Sequence, residues 1–300
     1  NVARMYYEQD RTQSEIADQY GISRPMVSKL LKEARDKGIV TIRISAPQEE
    51  SGGALSLMEL VGRCFGIYDG VAVPDGPNDQ TTNEAVAEAA ISYLSGLGGT
   101  GLGIGWGHII GDVVKHMEQR ETLVPIGTFV CPLIGNGGVG LKNYHSNELV
   151  RSIAEHSGAQ PRFIYSPACV LSEQELKLTR ELDSYHEIYH VWEKLDVALV
   201  NIGNFPSVPD FASEARYGDQ LIRQKAVGRI LNYFMDSQGH IIRSDTDYAI
   251  QIPLELLSGT RHVVGICSAN TSPKAFRGAL KTGYLKHFIA PEHVVREALE

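Results

Sequence analysis

The sequence predicts an α/β protein in two parts, a small helical unit followed by a larger domain with a doubly wound parallel sheet. Its 300 residues suit about two domains. Residues 12–35 (TQSEIADQYGISRPMVSKLLKEAR) show two short helical patterns around one glycine turn. After residue 54, apolar strand-like runs alternate with helical ones, as in a buried parallel sheet covered by helices.

The helix pair carries its own start and turn signals. Thr12 can cap the first helix, and Glu15 stands where a capping box requires it. Gly21 can take the positive φ of a tight turn. The second helix has an apolar stripe at i, i+3, i+4 and i+7, formed by Val27, Leu30, Leu31 and Ala34. This pattern is typical of a helix-turn-helix, whose second helix normally enters the DNA major groove.

The face opposite that stripe is polar and basic, as a DNA-reading helix requires. A strand-like run at Ile39–Ile44 looks like the wing of a winged head, and Arg43 on it can be a phosphate contact or a solvated strand charge. The predicted DNA contacts are Gln13, Ser23, Arg24, Pro25, Ser28, Lys29, Lys32 and Arg43.

The net charge of −8 argues against DNA binding until its distribution is considered. Residues 1–50 hold eight basic and eight acidic side chains, whereas the other 250 residues hold 20 basic and 28 acidic ones. An acidic body repels phosphates, so DNA contact should be confined to the head. The four cysteines are scattered without a CxxC spacing, so we expect reduced thiols, a cytoplasmic protein, no metal site and no cofactor.

The predicted domains are 1–45 for the winged helix-turn-helix, 46–53 for a linker, and 54–300 for a ligand-binding and oligomerisation domain. The linker is rich in proline, glycine and charge. The next helix, Leu57–Phe65, has an apolar face that can contact a second subunit or pack on its own domain.

Four predicted strands of the larger domain end in glycine or small polar residues. Ligands of open parallel sheets bind outside the carboxyl ends of the strands, and such turns present backbone N–H groups to an anion. Trp106 can stack on a ligand or lie in the core. The predicted ligand contacts at these four ends are Gly105, Trp106, Gly107 and His108, then Gly135, Asn136, Gly137 and Gly138, then Gly203 and Asn204, then Asn270, Ser272 and Lys274.

Two other clusters have ordinary explanations. His186 and His190 could share a helical face, but with no third ligand in evidence they indicate a polar helix surface rather than a metal pair. Asp245 and Asp247 indicate a turn more than an acid/base couple.

Eight motifs together carry a family resemblance. In the head they are residues 2–7 (VARMYY), 12–17 (TQSEIA), 22–31 (ISRPMVSKLL) and 34–40 (ARDKGIV). In the larger domain they are residues 104–107 (IGWG), 132–135 (PLIG), 226–230 (AVGRI) and 283–285 (GYL). These motifs resemble those of the SorC family of bacterial, sugar-responsive transcriptional regulators. The resemblance implies a winged helix-turn-helix joined to a domain shaped like ribose-phosphate isomerases and glucosamine-phosphate deaminases. It also implies a homo-oligomer, a dimer or tetramer, that binds operator DNA under the control of a phosphorylated sugar.

The chain departs from that family pattern at ligand positions. Arg229 stands where relatives usually carry an acid, so it could hold a phosphate or carboxylate, or pair with a neighbouring carboxylate. The effector can therefore be a sugar, a sugar phosphate or a polyol. A sugar-phosphate isomerase or deaminase with a DNA-binding head is the alternative, because fold does not fix function. The loop ends offer His108 and few carboxylates for acid/base chemistry, which favours the regulator.

Overall fold

The computed structural model describes residues 2–7, 11–36, 56–138, 140–207 and 216–300. The chain divides into two compact units, residues 1–54 and 55–300. The predicted wing at Ile39–Ile44, with Arg43, and the predicted linker at 46–53 lie outside the described residues.

The described residues of the first unit form three helices. They are α1 (Val2–Tyr7), α2 (Gln13–Tyr20) and α3 (Arg24–Asp36). The capping and turn signals predicted from the sequence begin and end the second of them. The Thr12 N–H donates to Glu15 Oε2 at 2.8 Å, and the Glu15 N–H donates to Thr12 Oγ1 at 3.3 Å. These bonds satisfy two backbone donors that a helix start otherwise leaves unpaired. Gly21 ends α2 with a φ of +62°, a conformation that favours glycine.

The core of this unit is small. It consists of Met5 from α1, Ile16 and Ala17 from α2, and Val27 and Leu31 from α3. The predicted stripe on α3 is confirmed in substance, since Val27, Leu31 and Ala34 are buried and Leu30 is half-buried. Burying this stripe against α1 and α2 leaves the opposite face of α3 in solvent.

The second unit is built on one nine-stranded sheet. The strands are β1 (Gly70–Val73), β2 (Gly101–Ile104), β3 (Phe129–Pro132), β4 (Gln160–Pro161), β5 (Val197–Asn204), β6 (Ala226–Ile230), β7 (Tyr233–Asp236), β8 (His262–Ile266) and β9 (His287–Pro291). The helices are α4 (Leu57–Phe65), α5 (Asp79–Leu97), α6 (His108–Glu118), α7 (Ser146–Ser157), α8 (Glu173–Glu181), α9 (Asp183–Trp192), α10 (Gln220–Arg223), α11 (Leu254–Gly259), α12 (Pro273–Lys281) and α13 (Glu292–Leu299).

Seven strands run parallel in the order β1-β9-β8-β5-β2-β3-β4. From β2 the chain steps through α6 to β3 on one side, and from β8 it steps through α12 to β9 on the other. Because such crossovers are right-handed, steps in opposite directions place their helices on opposite faces of the sheet. The order therefore reverses between β5 and β2, and the predicted doubly wound arrangement is confirmed there.

The prediction of a parallel sheet omitted one element, an antiparallel hairpin. After β5 the chain returns as β6, which pairs antiparallel with the last residues of β5, and β7 pairs antiparallel with β6.

The apolar face predicted for the helix at Leu57–Phe65 has its place in the structure. The apolar face of α4 packs on its own domain, where Val61 is fully buried and Met58 and Phe65 contact the core.

We predict that Thr12→Ala lowers the free energy of unfolding of the first unit by about 1 kcal/mol, because it removes the cap of α2. Ser56 and Glu59 form the same capping box at α4 in the second unit, so Ser56→Ala is a matched control. Calorimetry should show T12A lowering the unfolding transition of the first unit and S56A lowering that of the second. Equal effects of both variants on both transitions would contradict this assignment.

Candidate functional site

A cavity of about 530 Å³ opens where the order of the sheet reverses. The carboxyl ends of β2 and β5 meet there, and the loops that follow β2 and β8 complete the wall. Such a crevice is the general ligand position in open α/β sheets. It is lined by Asn83, Gly107, His108, Ile109, Asp112, Tyr144, Asn201, Ile202, Gly203, Asn204, Pro206, Ser207, Arg229, Ser268, Asn270 and Thr271.

The turn between β2 and α6 needs glycine at one position. Gly107 has a φ of +115°, and a Cβ there would lie 3.2 Å from Asn201 Nδ2. Its N–H donates to the Asn143 carbonyl at 2.8 Å. His108 then begins α6 with an exposed side chain, and its ring lies 5.6 Å from that of Tyr144, centroid to centroid. The turn therefore brings one imidazole and one phenol to the same wall of the cavity.

Asp112 lies one turn further along α6 and supplies a carboxylate to the cavity. The side chain is half-buried, and this burial raises its pKa, while the positive charges of His116, Lys115 and His108 act in the opposite direction. Its carboxylate accepts no hydrogen bond from the part of the chain that the structure describes. A carboxylate in this state can accept hydrogen bonds from ligand hydroxyls.

Two carboxamides hold the loop at 268–272 in place. Asn204 Oδ1 accepts from the Ser272 N–H at 2.7 Å, and Asn204 Nδ2 donates to the Asn270 carbonyl at 2.8 Å. Asn83 Oδ1 accepts from the Ala269 N–H at 2.7 Å.

Asn201 differs from these two carboxamides because part of its side chain is unused. Asn201 Oδ1 is buried and has no hydrogen-bond partner among the described residues. A buried acceptor without a partner is unfavourable. Asn201 Oδ1 is therefore suited to a ligand donor.

Arg229 reaches the cavity from β6, where it is paired with Gly203 of β5. The side chain is 6% exposed, and its Nη1 donates to Asn232 Oδ1 at 3.2 Å. Its guanidinium carbon lies 5.9 Å from the centre of the Phe234 ring. A Cβ on Gly203 would lie 3.0 Å from Arg229 Nε, so glycine at 203 makes room for this side chain. The cavity thus contains a buried, permanently charged donor group.

The cavity wall brings together only part of the predicted ligand set. Six of those residues line it, namely Gly107, His108, Gly203, Asn204, Arg229 and Asn270. Eight do not, namely Gly105, Trp106, Gly135, Asn136, Gly137, Gly138, Ser272 and Lys274. The ligand role of the first six stays a prediction, and we leave the other eight out of the proposed site.

Packing explains why these eight residues lie behind the wall or beside it. Trp106 is fully buried, and its ring meets that of Tyr144 edge to face at 5.8 Å, so of its two possible places it takes the core. A Cβ on Gly105 would lie 3.0 Å from a methyl of Leu231.

The loop at residues 135–138 supports the wall from outside the cavity. Its Gly137 N–H donates to the Tyr144 carbonyl at 2.8 Å, and Asn136 Nδ2 donates to the Ile164 carbonyl at 3.3 Å. Ser272 precedes α12, and Lys274 is exposed on its first turn.

Some cavity residues were not among the predicted ligand contacts, although the sequence pattern indicates two of them weakly. Asp112 follows His108 by four residues on one helix, so both face the same way. Asn201 is a polar residue inside the apolar run of β5. Ser268 and Thr271 belong to the predicted strand end that contains Asn270, whereas Asn83 and Tyr144 show no comparable pattern and are assembled by the fold.

The outward face of α3 is the candidate DNA surface. Six of the predicted contacts, Ser23, Arg24, Pro25, Ser28, Lys29 and Lys32, are exposed, and Gln13 is half-buried at the start of α2. Met26 is 45% exposed on the same helix and was not predicted. Arg24 and Gln13 also line a groove of about 540 Å³ with Arg11. The basic groups and the exposed methionine are of the kinds that contact phosphates and thymine methyl groups.

The described residues contain no group of three or more His, Cys, Asp or Glu side chains that could hold a metal ion. His190 is instead exposed and bonds Glu193 through Nδ1 at 2.8 Å. Within the same residues no helix is long and apolar enough to cross a membrane.

A helix-turn-helix unit followed by an α/β domain with a polar cavity at its switch point defines a ligand-responsive DNA-binding regulator. A family model described as "Putative sugar-binding domain" matches residues 50–300, and the model of sigma-70 region 4 matches residues 1–37. The sorbitol operon regulator of Klebsiella pneumoniae is 31% identical over 297 residues, which are 95% of this chain and 91% of that protein. The chain belongs to the SorC family of transcriptional regulators.

Two further comparisons agree with this assignment. The deoxyribonucleoside regulator of Bacillus subtilis is 27% identical over 98% of this chain and 94% of its own length. The crystal structure of the full-length sorbitol operon regulator from K. pneumoniae has a TM-score of 0.73 at 27% identity, covering 100% of this chain and 97% of that one. The chain is therefore a DNA-binding transcriptional regulator with a sugar-binding domain, and the isomerase or deaminase alternative is set aside.

We predict that Asp112→Asn stabilises the ligand-free protein at neutral pH. Burial raises the folded-state pKa of Asp112 above its ordinary value of 3.8, so the wild type loses stability as pH rises from that value through the raised one. The amide does not ionise, so the unfolding temperature of the variant should exceed that of the wild type by an amount that grows as pH rises above 3.8 and levels off above the raised pKa. Thermal unfolding across this pH range checks it, and a destabilised variant at pH 7 would contradict the effect of burial on the carboxylate.

Proposed function

We propose that α3 reads operator DNA and that a small polyhydroxylated molecule, a sugar or a polyol, binds the cavity and changes operator affinity. The observation that carries the effector class is the pairing in one cavity of an unsatisfied carboxylate, Asp112, with a buried guanidinium, Arg229. The carboxylate suits hydroxyl donors and the guanidinium suits an oxygen acceptor, and a sugar or polyol offers both.

The balance of charge favours an uncharged ligand over a highly charged one. Arg229 attracts an anion, but Asp112 in the same cavity repels it. The remaining polar wall consists largely of carboxamides and hydroxyls, including Asn201, Asn270 and Thr271. Two relatives, a sorbitol operon regulator and a deoxyribonucleoside regulator, suggest D-sorbitol and 2-deoxyribose as first probes.

For the DNA-binding head we propose residues 1–45, with Arg24, Ser28 and Lys29 at bases or adjacent phosphates and Lys32 at a phosphate. Support comes from their exposure on the face of α3 opposite the core. Arg43 on the predicted wing remains part of the proposal. A three-helix head reads only a few base pairs, so useful affinity requires at least two heads. We therefore propose a cytoplasmic homo-oligomer in which residues 54–300 bind the effector and hold the subunits together.

The DNA proposal predicts that Arg24→Ala and Lys29→Ala each weaken operator binding by about 1–3 kcal/mol and reduce its salt dependence. Arg151→Ala is the matched control, because Arg151 is an exposed arginine of the second unit, held by Glu148 and Glu155. Fluorescence anisotropy with operator DNA at several salt concentrations measures both quantities. Unchanged affinity and salt slope in the double variant R24A/K29A would refute this docking.

The effector proposal predicts a rise in unfolding temperature with D-sorbitol or 2-deoxyribose, since a ligand that binds only the folded state stabilises it. Asp112→Asn should lose about 1.5–3 kcal/mol of effector affinity, because it removes a charged acceptor. It should leave operator binding unchanged in the absence of effector. Asp183→Asn, an exposed position at the start of α9, is the control.

The same titrations should include the phosphate esters of both compounds. Binding of the phosphates alone, with equal affinity in the wild type and D112N, would show that Asp112 does not select the effector and would overturn the proposed class.

A further inference from the structure

A second cavity of about 360 Å³ lies in the same domain and shares no lining residue with the first. Its wall includes Arg180 from α8, Tyr233 from β7 and the segment 241–251. Nothing in the proposed function uses this cavity. Its chemistry and its connection to the first cavity indicate what it can bind.

The charged groups of the second cavity leave one positive charge in excess. Arg180 and Arg243 line the cavity and are exposed. Asp245 and Asp247 also line it. Asp247, however, accepts from Arg216 Nε at 2.7 Å, and Arg216 is a buried residue at 1% exposure behind the wall. With Asp247 neutralised in this way, two arginines face Asp245 alone. Arginine pairs of this kind bind carboxylates and phosphates through several N–H donors.

A third hydrogen-bond donor of the second cavity, a side-chain amide, is nearly buried and donates to no described residue. Gln251 is 6% exposed, and its Oε1 accepts from the Asn232 N–H at 2.9 Å. Its Nε2 carries two hydrogens and donates to no partner in the described part of the chain. By contrast, the hydroxyl of Tyr233 already donates to the Ile252 carbonyl at 2.8 Å. The amide of Gln251 is therefore a prepared donor at the inner end of a cavity with arginines at its exposed part.

The two cavities are joined by one fully buried residue, Asn232. Its Oδ1 accepts from Arg229, which lines the first cavity, and its N–H donates to Gln251, which lines the second. Its carbonyl also accepts from Arg216 Nη2 at 3.1 Å. A ligand that moves Gln251 therefore acts on a group that is hydrogen-bonded directly to Arg229.

This network can adopt a second arrangement because it is incompletely satisfied. Asn232 Nδ2 and Arg216 Nη1 are buried without a hydrogen-bond partner among the described residues. Leu231, next to Asn232 in the turn between β6 and β7, has a φ of +53°, which is strained for a residue other than glycine. Unpaired buried donors and a strained turn both lower the cost of rearranging the hairpin.

We propose that the second cavity is a binding site for a small monoanion, a carboxylate or a phosphate, and that Asn232 couples its occupancy to the first cavity. Arg180, Arg243 and Gln251 hold the anion. The site is independent of the sugar or polyol proposed for the first cavity, since no residue is shared.

The two cavities contain isoleucines that report on them separately. Ile241 and Ile242 line the second, and Ile109 and Ile202 line the first. The experiment titrates inorganic phosphate, and separately acetate, into the full chain labelled at isoleucine methyl groups, at constant ionic strength. The wild type should show saturable shifts at Ile241 and Ile242, followed at the same concentrations by shifts at Ile109 and Ile202.

Variants then test the site and the coupling. Arg180→Gln with Arg243→Gln should raise the dissociation constant seen at Ile241 and Ile242 by about tenfold or more, because it removes the charged donors. Arg151→Gln should leave it unchanged. Gln251→Glu keeps the acceptor for Asn232 but adds a negative charge, so it should abolish anion binding in a folded protein. Gln251→Met removes one donor to the anion and the acceptor for Asn232, so it should weaken anion binding seen at Ile241 and Ile242 and, at saturation, lose the shifts at Ile109 and Ile202.

Absent or unsaturable shifts at Ile241 and Ile242 would overturn the site, as would equal affinity in the R180Q/R243Q variant. Shifts confined to Ile241 and Ile242 in the wild type would overturn the coupling. Whichever of phosphate and acetate binds identifies the source of the anion. Failure of D-sorbitol or 2-deoxyribose to move Ile109 and Ile202 would count against the proposed effector and leave the second site standing.

Discussion

The burial of one positive charge at the switch point of the sheet is the constraint on which the ligand-binding domain depends. A guanidinium at 6% exposure loses most of its hydration, and this loss is unfavourable unless its donors find partners. Three neighbouring residues accommodate the buried Arg229 side chain. Gly203 leaves it space, Asn232 accepts one of its hydrogen bonds, and the Phe234 ring lies beside the guanidinium. Each partner comes from β5 or the β6–β7 hairpin, so hairpin and cavity are parts of one arrangement.

Limited space explains why glycines recur at the end of β2. A Cβ on Gly105 would meet Leu231 of the hairpin turn, and the backbone of Gly107 has a conformation that few other residues adopt. These glycines were first interpreted as ligand contacts. Gly107 does line the cavity, but Gly105 lies against the hairpin turn, where a Cβ would be 3.0 Å from a methyl of Leu231. A glycine-rich loop end therefore indicates a crowded backbone more directly than it indicates a ligand.

The sequence was sufficient for features that depend on near neighbours in the chain. The capping box at Thr12 and the apolar stripe of α3 are local patterns, and the structure has them where they were predicted. The class of fold followed from the alternation of apolar strand-like runs with helical ones after residue 54.

The composition of the cavity could not be predicted in the same way. It depends on pairings between distant residues, such as Gly203 with Arg229 across an antiparallel step that the parallel pattern did not suggest. Trp106 was ambiguous for the same reason, because only the position of Tyr144 decides that its ring lies in the core.

The way in which the loop at 268–272 is held has a consequence for evolution of the family. Asn83 and Asn204 bind this loop through its backbone N–H and carbonyl groups, which every residue type except proline provides. The side chains of Ser268 and Asn270, which line the cavity, are not needed for that attachment, whereas Thr271 Oγ1 accepts from the Ser268 N–H at 2.9 Å and helps to fix the turn. The loop can change the first two side chains while its path stays fixed, so drift or selection can alter what the domain recognises without rebuilding its scaffold. A protein engineer could use the same separation of attachment from recognition to redirect the domain to a new ligand.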